Sequence, residues 1–248
     1  MLNNNIYNKI DQLKSQLDSH RPLPANTVKS LHEHMIVEWT YNSNAIEGNT
    51  LTLKETKVVL EGITIGGKSM REHFETINHK EAIDYVEAVV HHEEDINERL
   101  IKSIHLLVLK NIDEENAGRY RSENVLISGA EHRPPEHIAV QAQMEELING
   151  YNNFTGHPVE RAARLHVDFV KIHPFIDGNG RTARLLMNLD LMKAGYQPVI
   201  IQAKEKLAYY EALDKAHTVA TDDAYQDFID IAIETQKKAL NNILSLIG

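Results

Sequence analysis

Apolar residues recur at spacings of three and four along almost the whole chain, and this period limits the fold more than any other feature. It predicts helices over about 5–18, 27–47, 52–61, 71–91, 94–110, 136–153, 158–173, 180–194, 204–219 and 223–246. The punctuation agrees. Pro22 and Pro24 close the first segment, Gly48-Asn49 caps the second, and Thr52 to Glu55 has capping-box spacing at the start of the third. Only 7 prolines and 12 glycines interrupt the chain's 248 residues. One stretch departs from the period, NVLISGAEHRPP (124–135), an apolar run followed by a glycine turn and Pro-Pro. It predicts an isolated hairpin or flap, since two strands alone make no sheet core. The expected fold class is all-α with a small β-hairpin flap, and no repeat or linker divides it.

Composition then narrows the chemistry. A net charge of −10 repels phosphate backbones, so no nucleic acid partner is expected, although a local basic pocket remains compatible. Without cysteine there is no disulfide, thiolate metal site or thiol nucleophile. No apolar run reaches the roughly 18 residues of a membrane span, and the N-terminus lacks a signal-peptide core. No membrane partner and a cytoplasmic location are therefore expected. GITIGGKS (62–69) spells a phosphate-binding loop, but that loop works only between a buried strand and a helix. Here a capping box and charged residues precede it, so a Gly-rich surface loop is expected. His91 to Glu94 reads as a solvated helix end, His32 with His34 and His132 with His137 lack recognised zinc spacing, and 14 histidines make chance pairs common.

The richest stretch is KIHPFIDGNGRTARLLMN (171–188). Pro174 disfavours helical geometry at His173, so the preceding helix should end with His173 at the lip of a loop. Phe175 and Ile176 can anchor that loop while Asp177 points outward. Gly178-Asn179-Gly180 allows positive φ and exposes successive amides at the start of the next helix. Arg181 and Arg184 lie in its first turn or so, where cations oppose the helix dipole at roughly 0.3–1 kcal/mol each. An anion bound at the amides and gripped by both arginines would justify that cost. Asp177 suits a hard cation such as Mg2+, and His173 can take a proton near neutral pH. Together they describe phosphoryl-group chemistry.

HPFIDGNGRTAR resembles the signature H-P-F-x-[DE]-G-N-G-R-x-x-R of Fic-domain proteins and matches every fixed position. GRYRSENVLISGAEHRPP (118–135) looks like the family's approach to its flap, and Tyr209-Tyr210 stands where an adenine-contacting pair is expected. The resemblance places a Fido core over 95–230, an N-terminal helical region over 1–94 and a C-terminal helix end over 231–248. It implies transfer of AMP from MgATP to a Ser, Thr or Tyr hydroxyl of an unidentified target protein, with release of pyrophosphate. It further implies His173 as base, Asp177 as Mg2+ ligand, and Gly178, Asn179 and Gly180 as anion hole. Arg181, Thr182, Arg184, Tyr209, Tyr210 and His217 would hold the nucleotide. The flap residues Val125, Leu126, Ile127, Ser128 and Gly129 would dock the target as an added strand. His217 departs from the family, which often carries Asn there.

SNAIEGN (43–49) resembles the family's inhibitory motif [ST]-x-x-x-E-[GN], with Ser43 and Glu47 on one face of a helix over about 27–48. A carboxylate there could pair with Arg184 in place of a phosphate. The expectation is therefore a self-inhibited protein adenylyltransferase. Removal of AMP by the same site, transfer of a terminal phosphate as in Doc toxins, and nucleotide sensing with little turnover stand as alternatives. Self-modification and a homodimer remain open.

Overall fold

The structure, a computed structural model, describes residues 4–247. The expected periods become ten α-helices among the described residues. They are α1 (Asn4–Ser19), α2 (Ala25–Ile46), α3 (Leu53–Leu60), α4 (Met70–His91) and α5 (Glu98–Leu109), then α6 (Val140–Asn153), α7 (Pro158–Ile172), α8 (Asn179–Lys193), α9 (Lys206–Thr218) and α10 (Gln226–Ile247). The start signals work as the residues suggest. Thr52 and Glu55 form a capping box on α3, Ser69 and Glu72 form another on α4, and Pro158 opens α7.

Two apolar clusters meet at the α7–α8 corner. One joins Trp39 of α2, Ile83 of α4, Ile101 of α5 and Phe169 of α7 to Phe175 and to Leu186 of α8. The other joins Ile10 of α1, Val159 and Val167 of α7, Met187 of α8, Tyr209 of α9 and Phe228 of α10. Each such side chain stabilises by about 1.5–3 kcal/mol when fully buried. Helix α8 contributes to both clusters and is buried without a break from Arg181 to Leu191. The loop between α7 and α8 is thus held between two packed bodies.

GITIGGKS is a surface loop. Its Lys68 Nζ donates to the Thr50 carbonyl at 2.6 Å and to Thr50 Oγ1 at 2.9 Å, and Ser69 caps α4. The expected hairpin is a correction: no strand forms between residues 124 and 135. Val125, Leu126, Ile127, Ser128 and Gly129 form an open loop, with Leu126 80% exposed. The loop base is closed by side chains rather than by a ladder. Arg121 donates to the carbonyls of Glu123 (2.9 Å) and Pro135 (2.5 Å), and Asn124 Oδ1 accepts from the His137 amide (2.8 Å). Pro134 and Pro135 bring no amide hydrogens to a second strand. No helix among the described residues is long and apolar enough to cross a membrane.

Candidate active site

Pro174 stops α7 as its chemistry requires, and His173 takes left-handed backbone angles of φ 51° and ψ 58°. The turn that follows is braced from inside. Asn179 Oδ1 accepts from the Phe175 amide (2.9 Å) while its Nδ2 donates to the Phe175 carbonyl (2.8 Å). Gly178 adopts φ 75°, and a Cβ there would press on His105 Nε2 and Val108 at 3.2 Å. His105 of α5 is wholly buried and stacks on Phe175 at 3.5 Å. Its Nδ1 accepts from the Gly118 amide (2.9 Å), which makes Nε2 the donor to the Asp177 carbonyl (2.9 Å). Burial lowers the His105 pKa to about 4, so the ring is neutral and this tautomer stands.

His173 is likewise neutral. Burial, aided by the Arg121 charge, brings its pKa down to about 4 despite the upward pull of the Val170 carbonyl, Glu47 and Asp177. Its Nδ1 is buried and makes no hydrogen bond. The His173 carbonyl accepts from Arg121 Nε at 3.0 Å, so one buried guanidinium ties His173 to the loop at 124–135.

Asp177 is 40% exposed and flanked by two guanidiniums. Oδ1 accepts from the Gly178 amide (2.6 Å) and Arg181 Nη2 (3.3 Å), and Oδ2 accepts from Arg71 Nη2 of α4 (2.5 Å). Burial would raise its pKa, but Arg181, the Gly178 amide and Arg71 together hold it below the usual carboxylate value. Arg181 is buried, and its Nε and Nη1 make no hydrogen bond, so unsatisfied donors remain at the helix start.

Arg184 has its donors satisfied by the C-terminal end of α2 and by α9. Nε donates to Ser43 Oγ (3.0 Å), Nη2 to the Ser43 carbonyl (2.9 Å) and to Glu47 Oε1 (2.6 Å), and Nη1 to Tyr209 Oη (3.2 Å). Burial alone would lower its pKa, yet the Glu47 carboxylate and the Tyr209 hydroxyl together more than offset this and leave it raised. Gly180 makes the room: a Cβ there would collide with Glu47 Oε1. Three carboxylates (Glu47, Glu75, Asp177) thus oppose three guanidiniums (Arg71, Arg181, Arg184) with no ligand present.

Other expected residues fall less centrally. Thr182 is fully buried, with no hydrogen bond to its hydroxyl, and does not open onto the cleft. Tyr209 is buried between Arg184 and His166, whereas Tyr210 is partly exposed and donates to the Ile46 carbonyl at 3.2 Å. His217 spends Nε2 on the Val167 carbonyl (3.0 Å), and burial lowers its pKa to about 4. Sequence reading missed Arg71 and Glu75, an i,i+4 pair on α4, and His105 and Arg121, none of which a local pattern ties to the corner at 173–184.

Asp177 fits a divalent cation shared with phosphate. It is a partly exposed carboxylate beside the N-terminus of α8, where the helix dipole is positive. No group of three or more His, Cys, Asp or Glu among the described residues forms a self-sufficient cage. Mg2+ commonly takes one or two carboxylates, with phosphates and water completing its shell.

The Fic/DOC family model matches residues 95–191. Protein adenylyltransferase Fic of Nematostella vectensis is 39% identical over 227 residues, which are 87% of this chain and 51% of that protein. Protein adenylyltransferase fic-1 of Caenorhabditis briggsae is 40% identical over 185 residues, 72% of this chain and 36% of that protein. The chain therefore spans about half or less of the length of these curated relatives. A Fic domain containing signaling protein from Bacteroides thetaiotaomicron superposes with a TM-score of 0.87 at 30% identity, over 96% of both chains.

Proposed function

This chain belongs to the Fic/DOC family, and from that premise we propose that it is a protein adenylyltransferase held inactive by its own Glu47. The observation that carries this reading is the 2.6 Å pair between Glu47 and the buried Arg184. A guanidinium placed against the helix dipole meets a carboxylate where a phosphate oxygen would otherwise sit.

In the proposed reaction, His173 Nε2 accepts the proton of a target Ser, Thr or Tyr hydroxyl. The freed oxygen forms a bond to the α-phosphorus of ATP, and the bond from that phosphorus to the bridging oxygen breaks to release pyrophosphate. The amides of Asn179 and Gly180, the Gly178 amide once it leaves Asp177 Oδ1, and the charge of the Arg181 guanidinium would offset the charge that grows on the phosphates. Asp177 would hold Mg2+, which when bound neutralises the leaving pyrophosphate. The exposed edge at Val125 to Gly129 would position the target by backbone pairing, so the strand would form only when a partner supplies the ladder. While Glu47 holds Arg184, the γ-phosphate lacks its cation and the α-phosphate is misaligned. A misplacement of about 1 Å costs on the order of 10²-fold.

A second reading uses the same groups in reverse. Glu47 Oε2 makes no hydrogen bond to the described residues, and the carboxylate is 33% exposed, so it could orient water for removal of AMP. Labelled ATP separates the possibilities. Label from the α-phosphate should appear on protein with Glu47→Gly, and His173→Ala in that background should lower it about 10²–10⁴-fold while ATP still binds. Label from the γ-phosphate would instead indicate phosphotransfer. Binding without any label would indicate a nucleotide sensor.

A further inference from the structure

We infer that Arg71 is an internal occupant of the cation position on Asp177, so that a divalent metal binds only by displacing it. The inference rests on the reading of Asp177 as the metal carboxylate. The two oxygens of Asp177 are not equivalent. Oδ1 is satisfied within its own loop and helix, by the Gly178 amide at 2.6 Å and Arg181 Nη2 at 3.3 Å. Oδ2 has one partner among the described residues, Arg71 Nη2 at 2.5 Å, and that partner comes from α4, 106 residues earlier in the chain. Mg2+ would need to approach a carboxylate oxygen to about 2.0–2.1 Å. A guanidinium at 2.5 Å from Oδ2 stands in that approach, and its positive charge opposes a second cation.

Arg71 is also built to leave. Its side chain is 56% exposed, so release disturbs no core packing. Its Nε stays anchored to Glu75 Oε1 at 3.1 Å, so the guanidinium can swing off Asp177 without losing its second partner. Arg181 cannot do the same, because it is only 3% exposed and lies beneath the loop. The pair has two arrangements, closed on Asp177 or open to solvent, and metal selects the open one. Removing Arg71 therefore increases metal affinity, a gain that a damaged fold could not produce. Partly exposed ion pairs of this kind support a gain of about two- to fivefold.

The test titrates Mn2+ alone into the nucleotide-free protein and follows the EPR signal of unbound Mn2+. Arg71→Ala should tighten binding about two- to fivefold over the wild type. Asp177→Ala should abolish the site, and Arg71→Ala should then change nothing in that background. Lys68→Ala, which removes a cation held against Thr50 and Glu55 and not against Asp177, should leave the affinity unchanged. Equal affinities for wild type and Arg71→Ala, with Asp177→Ala still abolishing binding, would overturn the inference and leave the metal assignment standing. An equal gain from Lys68→Ala would overturn it too, since the effect would be a general field. Unchanged Mn2+ binding in Asp177→Ala would instead remove the metal assignment itself.

Discussion

His173 owes its place to its successor in the chain. Pro174 bars it from the right-handed helix, it sits instead in left-handed backbone, and its partly buried imidazole is kept neutral with a pKa of about 4. A neutral imidazole can accept a proton, so burial is compatible with the proposed role of His173 as base. In the free protein the ring should remain neutral at about pH 5.5, a unit below the ordinary histidine value. Glu47→Gly removes an upward influence, so that variant should not restore ordinary titration. NMR of the imidazole nitrogens checks this, and protonation of His173 near pH 6.5 would contradict the environment described. At this scale the His173–Arg184 run was legible because its residues lie within one short, unusually polar corner. Arg71, Glu75, His105 and Arg121 were not. Each gains its role only from the packing of α4, α5 and the loop after α5 beside α8, which no local pattern expresses.

The helix that carries Glu47 ends where its sequence says it should. Gly48 follows at φ 99°, and a Cβ there would meet nothing within 4 Å. The cost of Gly48→Ala is therefore purely conformational, about 1–2 kcal/mol. Part of that strain should be relieved by reseating Glu47, so AMP transfer should rise modestly while Tm falls by roughly 2–8 °C. Thermal unfolding and transfer assays on the same preparation check this. A fall in Tm without any rise in transfer would mean that this helix end does not control the site. The helices were legible because a 3.6-residue period belongs to one segment alone. The hairpin was not, because a strand needs a partner, and Arg121 and Asn124 close the loop base in place of one.

Across the whole molecule, the site lies where the two apolar clusters meet, and that junction is rich in buried histidine. His79, His105, His166, His173 and His217 all have pKa values lowered chiefly by burial. Each folded-state value lies below the unfolded value of about 6.5, so the unfolded chain binds more protons between pH 6.5 and 4. Stability is thus complete above pH 6.5 and is lost as pH falls, by up to ~1.4 kcal/mol per pH unit for each histidine. Urea midpoints should drop steeply from pH 7 to pH 5, and a flat profile would contradict the burial. The helical composition of these clusters was legible in the chain. Their meeting at α7 and α8 was not, since it depends on which faces of distant helices find one another.

The central claim is that Glu47 holds an otherwise complete transferase inactive by occupying Arg184. Mass spectrometry after incubation with MgATP, on the protein itself and on added lysate, tests it with three variants beside the wild type. Glu47→Gly should gain AMP strongly, and Ser43→Ala more weakly, since Ser43 only helps to hold Arg184 against the helix. Arg184→Ala should stay inactive, because the phosphate loses its partner along with the inhibitor. AMP transfer by Glu47→Gly no greater than that of the wild type would contradict the account.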